Sequence, residues 1–307
     1  MEENNESLSF TPSEDYVVTP YLKGLVERCL GYLNAGIPIE LRGVAGIGKT
    51  SLAIHIAKQL ARPIILLYGN DEFASGDLMG NFHGVRKKWI IDNYISTVTK
   101  KEENLQLQWI DGRFVSACRN GYTLIYDEFT RAKPETNNIL LSALSEGVIE
   151  LPNVKRNEKY VKVHPNFRII FTSNQQEYAG VFNEQDALKD RILTIEMNGM
   201  DAETEVAIVS SKSGLKKDDA EKIVKLFQSL AHYLRIPNII SVRKSIMLAK
   251  IVKSMKIPID YYNPKFIEIC KDVVMSTFLK NNSNTSEMNE KRTTIERYFE
   301  LMRKGVR

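Results

Sequence analysis

The sequence predicts an α/β protein in which a parallel sheet is flanked by helices and followed by a small all-α domain. Three observations predict it. Before Asp201, short and continuously apolar runs alternate with stretches of helical periodicity, which is how parallel strands buried on both faces read. After Asp201 every apolar repeat is helical. Between the first apolar run and the helix after it lies the glycine-rich string Gly43-Val44-Ala45-Gly46-Ile47-Gly48-Lys49-Thr50.

Taken in order, residues 1–18 are polar, lack periodicity and are expected to form a flexible arm. Leu22, Leu25, Val26, Cys29 and Leu33 recur at helical spacing, and Gly36 closes that segment. The run 37–41 reads as a strand, 49–60 as a helix, and 63–69 as a buried parallel strand. Residues 71–110 are irregular, with Gly76, Gly80, Gly84 and the basic cluster Arg86-Lys87-Lys88 beside Trp89, so an insertion is expected there. A short helix over 114–119, a strand over 122–126 and a helix over 134–147 follow, then a hairpin within 148–164 and strands over 167–174 and 192–197. This places an α/β nucleotide-binding domain over 19–199 and a helical lid domain over 200–280. Its helices cover 215–235, 241–255 and 264–280, with Ser241 and Asn263 as N-caps. Residues 281–290 read as a polar linker, and Thr293 with Glu296 as a capping box opening a short last helix with Ile295, Phe299 and Met302 aligned.

Composition narrows the function classes. With 43% apolar and 26% charged residues in 307, the chain has the profile of a folded globular protein. A net charge of +4 is too small to read as a nucleic-acid footprint. The three cysteines, Cys29, Cys118 and Cys270, form no CxxC pair and suggest buried reduced thiols. No apolar run reaches the ~18 residues of a membrane span, and the acidic start lacks a secretory pattern, so the protein is expected in the cytoplasm with no membrane partner. His55, His83, His164 and His232 are scattered and make no zinc pattern.

The string from Gly43 to Thr50 fits the phosphate-loop pattern GxxxxGK[ST] between a strand and a helix, with Ser51 next on the helix. Its glycines let backbone N–H groups wrap phosphates, Lys49 reaches the β and γ phosphates, and the Thr50 hydroxyl takes Mg²⁺. ATP and Mg²⁺ are the ligands this implies. The order of the glycines does not fit the dinucleotide fingerprint. The buried strand 122–126 runs into Asp127 and Glu128, which would face a crevice at the carboxyl end of a parallel strand. Asp127 would hold Mg²⁺ and Glu128 would orient and deprotonate the attacking water. Asn174 ends another strand and could hold that water. Arg191 could stabilise transferring phosphoryl charge, its nearest phosphate lying in a neighbouring subunit, and Arg243 could touch the γ phosphate from the lid.

In this order the set resembles the AAA+ ATPases: Walker A, Walker B, sensor 1, arginine finger and sensor 2 on an α/β domain with a helical lid. The string Asp127-Glu128-Phe129-Thr130-Arg131-Ala132, with Pro134, Asn138-Ile139-Leu140-Leu141 and Gly76-Asp77-Leu78-Met79-Gly80, is similar to the MoxR branch, which carries an insert matching 71–110. TPYLKGL, RKKWIIDNYI, ACRNGYTLIYDEFTRAKPE, KVHPNFRIIFTSN and EYAGVFNEQDALKDR, spread over residues 19–191, resemble the gas vesicle protein N family. The resemblance implies an ATPase ring, expected as a hexamer, that assists assembly or growth of gas vesicles by acting on vesicle proteins, with Arg131 as a second contact in trans. It also allows a location at the vesicle surface. Two other readings stay open. A nucleic-acid-handling motor on the same core would use the +4 charge and the 86–89 cluster, although no helix-turn-helix or zinc finger accompanies them. A nucleotide-gated scaffold would need ATP binding more than turnover. Lys155, Arg156 and Lys159 in the hairpin could line a ring pore or form a plain soluble turn.

Overall fold

The structure, a computed structural model, describes residues 16–83, 108–151, 159–174, 186–235, 241–278 and 285–304. Residues 1–15 of the expected arm, the 86–89 cluster, Lys155, Arg156 and most of the string 177–191 lie outside the described residues. The chain divides into two compact units that are not consecutive stretches: the first takes residues 32–40 and 57–194, and the second takes 16–31, 41–56 and the described residues from 195 onward.

The first unit is built on a five-stranded sheet. β1 (Ile39–Gly43), β2 (Ile64–Tyr68), β5 (Thr123–Asp127), β8 (Arg168–Asn174) and β9 (Leu193–Met197) take the order β2-β5-β8-β1-β9, with β1 and β9 entering this unit by their first two residues. β2 and β5 pair in parallel from Ile64 opposite Thr123 to Tyr68 opposite Asp127. β5 and β8 do the same from Thr123 opposite Arg168 to Tyr126 opposite Phe171. All five residues of β5 are buried, as befits a strand covered on both faces. Tyr126, Phe129 and Phe171 interlock beneath its carboxyl end, with Phe129 and Phe171 centroids 4.9 Å apart. Burial of such rings contributes roughly 1.5–3 kcal/mol apiece, so this end of the sheet is among the best-anchored parts of the unit.

α4 (Arg113–Asn120) and α5 (Pro134–Ser145) supply Phe114, Cys118, Leu140 and Ala143 to the same core. Proline at the first position of α5 fits because its missing N–H would have no helical partner there. The irregular segment opens with α3 (Ser75–Met79) and a hairpin of β3 (Gly80–His83) with β4 (Gln108–Asp111), in which Phe82 stands opposite Trp109. β6 (Val148–Glu150) and β7 (Tyr160–Lys162) form the second hairpin.

The second unit contains most of α1 (Pro20–Asn34) and α2 (Lys49–Gln59) together with α7 (Ala202–Ser213), α8 (Lys217–Tyr233), α9 (Val242–Met255), α10 (Pro264–Phe278) and α11 (Thr285–Arg303). Phe227, Leu230, Leu248, Phe266, Cys270 and Ile295 form part of one core among α7–α11. Asn263 caps α10, its Oδ1 accepting from the N–H groups of Lys265 (3.0 Å) and Phe266 (3.3 Å). Among the described residues no helix is long and apolar enough to cross a membrane.

Two sequence expectations need correction. The polar run before Thr293 is not a linker throughout: α11 already begins at Thr285, and Thr293 lies inside it, its hydroxyl donating to the Asn289 carbonyl at 2.9 Å. Good helix formers in SEMNEKR, and the burial of Ile295, Tyr298 and Phe299 on one face, extend the helix through the supposed cap. Ser241 does occupy the N-cap position of α9, but its side chain makes no capping bond.

All three cysteines are buried, and burial raises each thiol, that of Cys29 to about 11. Since the thiolate is the reactive form, a disulfide reagent at pH 8 is expected to label none of them rapidly until denaturant unfolds the chain. Asp201 caps α7 by accepting from the Thr204 N–H and hydroxyl, both at 2.8 Å. Its carboxyl lies below the ordinary value of 3.8: desolvation pushes it up, but the hydrogen bonds from Thr204 and neighbouring backbone outweigh that. A depressed folded pKa means that the cap's stabilisation is present above the unfolded value and lost as pH falls through the folded one. Asp201→Ala is therefore expected to cost about 1 kcal/mol at neutral pH, a difference that shrinks in denaturant titrations below pH 3.8.

Candidate active site

In the second unit, β1 ends at Gly43 and the chain enters a loop whose Gly46 (φ 82°) and Gly48 (φ 99°) lie in left-handed space that side chains rarely adopt. A Cβ at Gly46 would also fall 2.8 Å from the Ser241 Oγ and 3.3 Å from the Arg243 Cβ, so the loop packs against the start of α9. This is why Ser241 does not cap its helix: its side chain faces the loop. α2 starts directly after the loop, with the Leu52 N–H bonded to the Gly48 carbonyl at 2.9 Å. The first-turn N–H groups of α2 thus carry the partial positive charge that favours phosphate. Lys49 is 6% exposed, and its ammonium donates to the carbonyls of Gly43 (2.9 Å) and Val44 (3.0 Å). Both bonds fix its charge over the loop. Ile47 is buried and anchors the loop, Ala45 and Ser51 are exposed, and Thr50 is half-buried. Arg243 is exposed beside the loop, where sequence order had suggested a lid contact.

In the first unit, β5 delivers Asp127, buried, and Glu128, half-buried. Glu128 has left-handed backbone, φ 52° and ψ 40°, so the chain turns sharply as the strand ends. Asn174 Nδ2 points to Glu128 Oε1 across a long 3.4 Å. Arg131 Nη1 donates to Glu128 Oε2 at 2.6 Å. The Arg131 expected to reach another subunit thus engages Glu128 of its own chain. That pair is 53% and 36% exposed, and such surface pairs contribute about 0–1 kcal/mol, so Arg131 can change partner at little cost. Arg191 is exposed, and its guanidinium donates to the Ser145 hydroxyl and the Ala187 carbonyl, which hold it at the surface beside α6 (Asp186–Lys189).

Two residues were missed by sequence reasoning. Thr172 donates its hydroxyl proton to Asp127 Oδ1 and accepts the Glu128 N–H at 3.0 Å. Period-two alternation from Asn174 was the available signal, since residues 172 and 174 share one face of β8. Gly69 follows β2, and a Cβ there would lie 2.3 Å from the Glu128 carbonyl oxygen. Only glycine permits that approach.

The donor chemistry suits Mg²⁺. The Asp127 carboxylate of the first unit and, separately, the Thr50 hydroxyl of the second are each a hard oxygen donor of the kind this cation takes, one or two protein oxygens sufficing beside substrate phosphates and water. Among the described residues no group of three His, Cys, Asp or Glu could enclose a metal.

A family model described as AAA domain (dynein-related subfamily) matches residues 38–192. "Gas vesicle ATPase GvpN" of Ancylobacter aquaticus is 40% identical over 289 residues, covering 93% of this chain and 80% of the relative. The protein of the same name from Haloferax mediterranei is 35% identical over 289 residues, covering 94% and 81%. A more distant relative, "Protein CbbQ" of Hydrogenophilus thermoluteolus, is 27% identical over 201 residues, covering 66% and 68%.

The two glycines give separable expectations. Gly46→Ala places a Cβ in left-handed backbone against Ser241 and is expected to weaken ATP affinity about 10-fold, the scale of 1–3 kcal/mol of local strain. Gly69→Ala displaces Glu128 instead and is expected to lower kcat by a similar factor with ATP affinity nearly unchanged. Equilibrium nucleotide binding and steady-state turnover read the two apart.

Proposed function

Since this chain belongs to the gas vesicle ATPase GvpN family, a group of MoxR-like AAA ATPases, we propose that it uses ATP hydrolysis in a ring of subunits to remodel vesicle proteins during gas vesicle assembly or growth. The observation that carries the chemistry is the loop 43–50, with left-handed Gly46 and Gly48 and the Lys49 ammonium fixed over its carbonyls. The setting is supported by the names of the relatives.

In the proposed reaction the loop N–H groups and Lys49 bind the β and γ phosphates and stabilise the charge of the transferring group. Mg²⁺, when bound, supplies further neutralisation of the phosphates, and Thr50 and Asp127 are the oxygens that would hold it. Glu128 takes a proton from water as that water's oxygen bonds to the γ phosphorus and the bond to ADP breaks. Asn174 orients the carboxylate or the water. Arg243 completes the γ-phosphate contacts from the start of α9.

Subunit association enters through two arginines. Arg131 occupies one oxygen of Glu128 in the single chain, so a subunit alone is poised for slow turnover. Arg191 stands exposed at the surface of the first unit and would reach the phosphate of a neighbour. ATP turnover per subunit is therefore expected to rise with protein concentration in the wild type and to fall at least about 100-fold in Arg191→Ala, while ATP binding persists. Turnover independent of concentration and untouched in Arg191→Ala would remove the ring mechanism. In cells expressing the accompanying gas vesicle genes, Lys49→Ala is expected to abolish buoyant vesicles, and normal vesicle yield in that variant would remove the assembly role.

A further inference from the structure

β5 and β8 are joined by a backbone ladder whose last opposed pair is Tyr126 with Phe171. Beyond it the chain turns at Glu128, and the Glu128 N–H passes not to a carbonyl but to the side chain of Thr172. The same oxygen sends its one proton to Asp127 Oδ1. A hydroxyl has one donor and can accept as well, and here both capacities are directed at consecutive residues of the neighbouring strand. Thr172 is fully buried, so water cannot substitute readily. The next side chain, Ser173, points to the opposite face of β8 and donates to Glu40, touching neither carboxylate.

We propose that Thr172 is a positioning residue for ATP hydrolysis, its single hydroxyl fixing the Asp127 carboxylate and the Glu128 backbone together so that both acids are presented in one geometry. The proposal rests on the roles given above to Asp127 and Glu128. Gly69 closes the arrangement from the other side: its N–H donates to the Asp127 carbonyl at 2.8 Å, and it admits the Glu128 carbonyl where a Cβ would collide. The turn is thus clamped between β2 and β8, and Thr172 is the one member of the clamp that also holds a carboxylate. Displacement of reacting groups by about 1 Å costs on the order of 100-fold in rate, so loss of this oxygen acts on kcat more than on ATP binding.

The test compares the full-length wild type with Thr172→Val, which keeps the shape and removes the hydroxyl, Thr172→Ser, which keeps the hydroxyl, and Ser173→Ala. Turnover is measured against ATP and against Mg²⁺, and hydrogen exchange is followed at the Glu128 amide without nucleotide. The valine variant is expected to lose about 10- to 100-fold in kcat, to need more Mg²⁺ for half-maximal rate, to change its KM for ATP by less than about 3-fold, and to exchange the Glu128 amide faster while other β5 amides stay protected. Thr172→Ser is expected to stay near wild type in all four readings, and Ser173→Ala to keep its Mg²⁺ dependence and Glu128 protection. Wild-type kcat or unchanged Glu128 protection in Thr172→Val would overturn the proposal. So would equal impairment in Thr172→Ser, which would make the methyl group the cause, or in Ser173→Ala. If the valine chain does not fold, Thr172→Ala takes its place in every arm. Should turnover survive Lys49→Ala, the reading of the site as a whole fails, whereas the exchange result still reports on the Thr172 bond alone.

Discussion

The backbone turn at the carboxyl end of β5 is the constraint on which the first unit's functional end depends. A strand that simply continued would carry Asp127 and Glu128 to opposite faces of the sheet. Left-handed backbone at Glu128 breaks that alternation, and a non-glycine residue holds such a conformation only when its surroundings over-determine it. Here they do. The Thr172 hydroxyl takes the amide, Gly69 leaves room for the carbonyl, and Tyr126, Phe129 and Phe171 pack beneath. The turn is therefore a product of two neighbouring segments, β8 and the end of β2, as much as of its own sequence.

Rigid and exchangeable contacts are separated by burial. Thr172 with Asp127, and Lys49 with the loop carbonyls, are buried bonds that water competes for poorly. The pair of Glu128 with Arg131 is exposed and weak, and Arg191 is exposed as well. Those buried groups are held firmly, while the exposed charges of Arg131 and Arg191 are the ones that cost least to move.

What could be read from the sequence follows from where each physical cause lies. The glycine-rich loop, the buried strand running into Asp127-Glu128 and the change to helical periodicity near residue 200 are local patterns, and the parallel sheet followed by helices was legible in them. Gly69 is not legible, and for Thr172 the alternation from Asn174 gives only the face of the strand, because a threonine in a strand and a glycine after one acquire their roles from the residue across the sheet. Ser241 has the position of a cap, yet its side chain lies against Gly46, a proximity between segments far apart in sequence. The start of α11 is hidden in the sequence because its polar first turns resemble a linker, and the buried face of Ile295 and Phe299 that holds the helix lies further on.

The most direct measurement is ATP binding and single-ring turnover of Glu128→Gln beside the wild type, at a protein concentration where the wild type is fully active. The substitution keeps the size and the turn while removing the group that accepts the proton. ATP bound with wild-type affinity and hydrolysed at least about 100-fold more slowly is the outcome that fits this account. Turnover within about 2-fold of wild type would contradict it, since a general base contributes far more than that and the turn at β5 would then serve some other end.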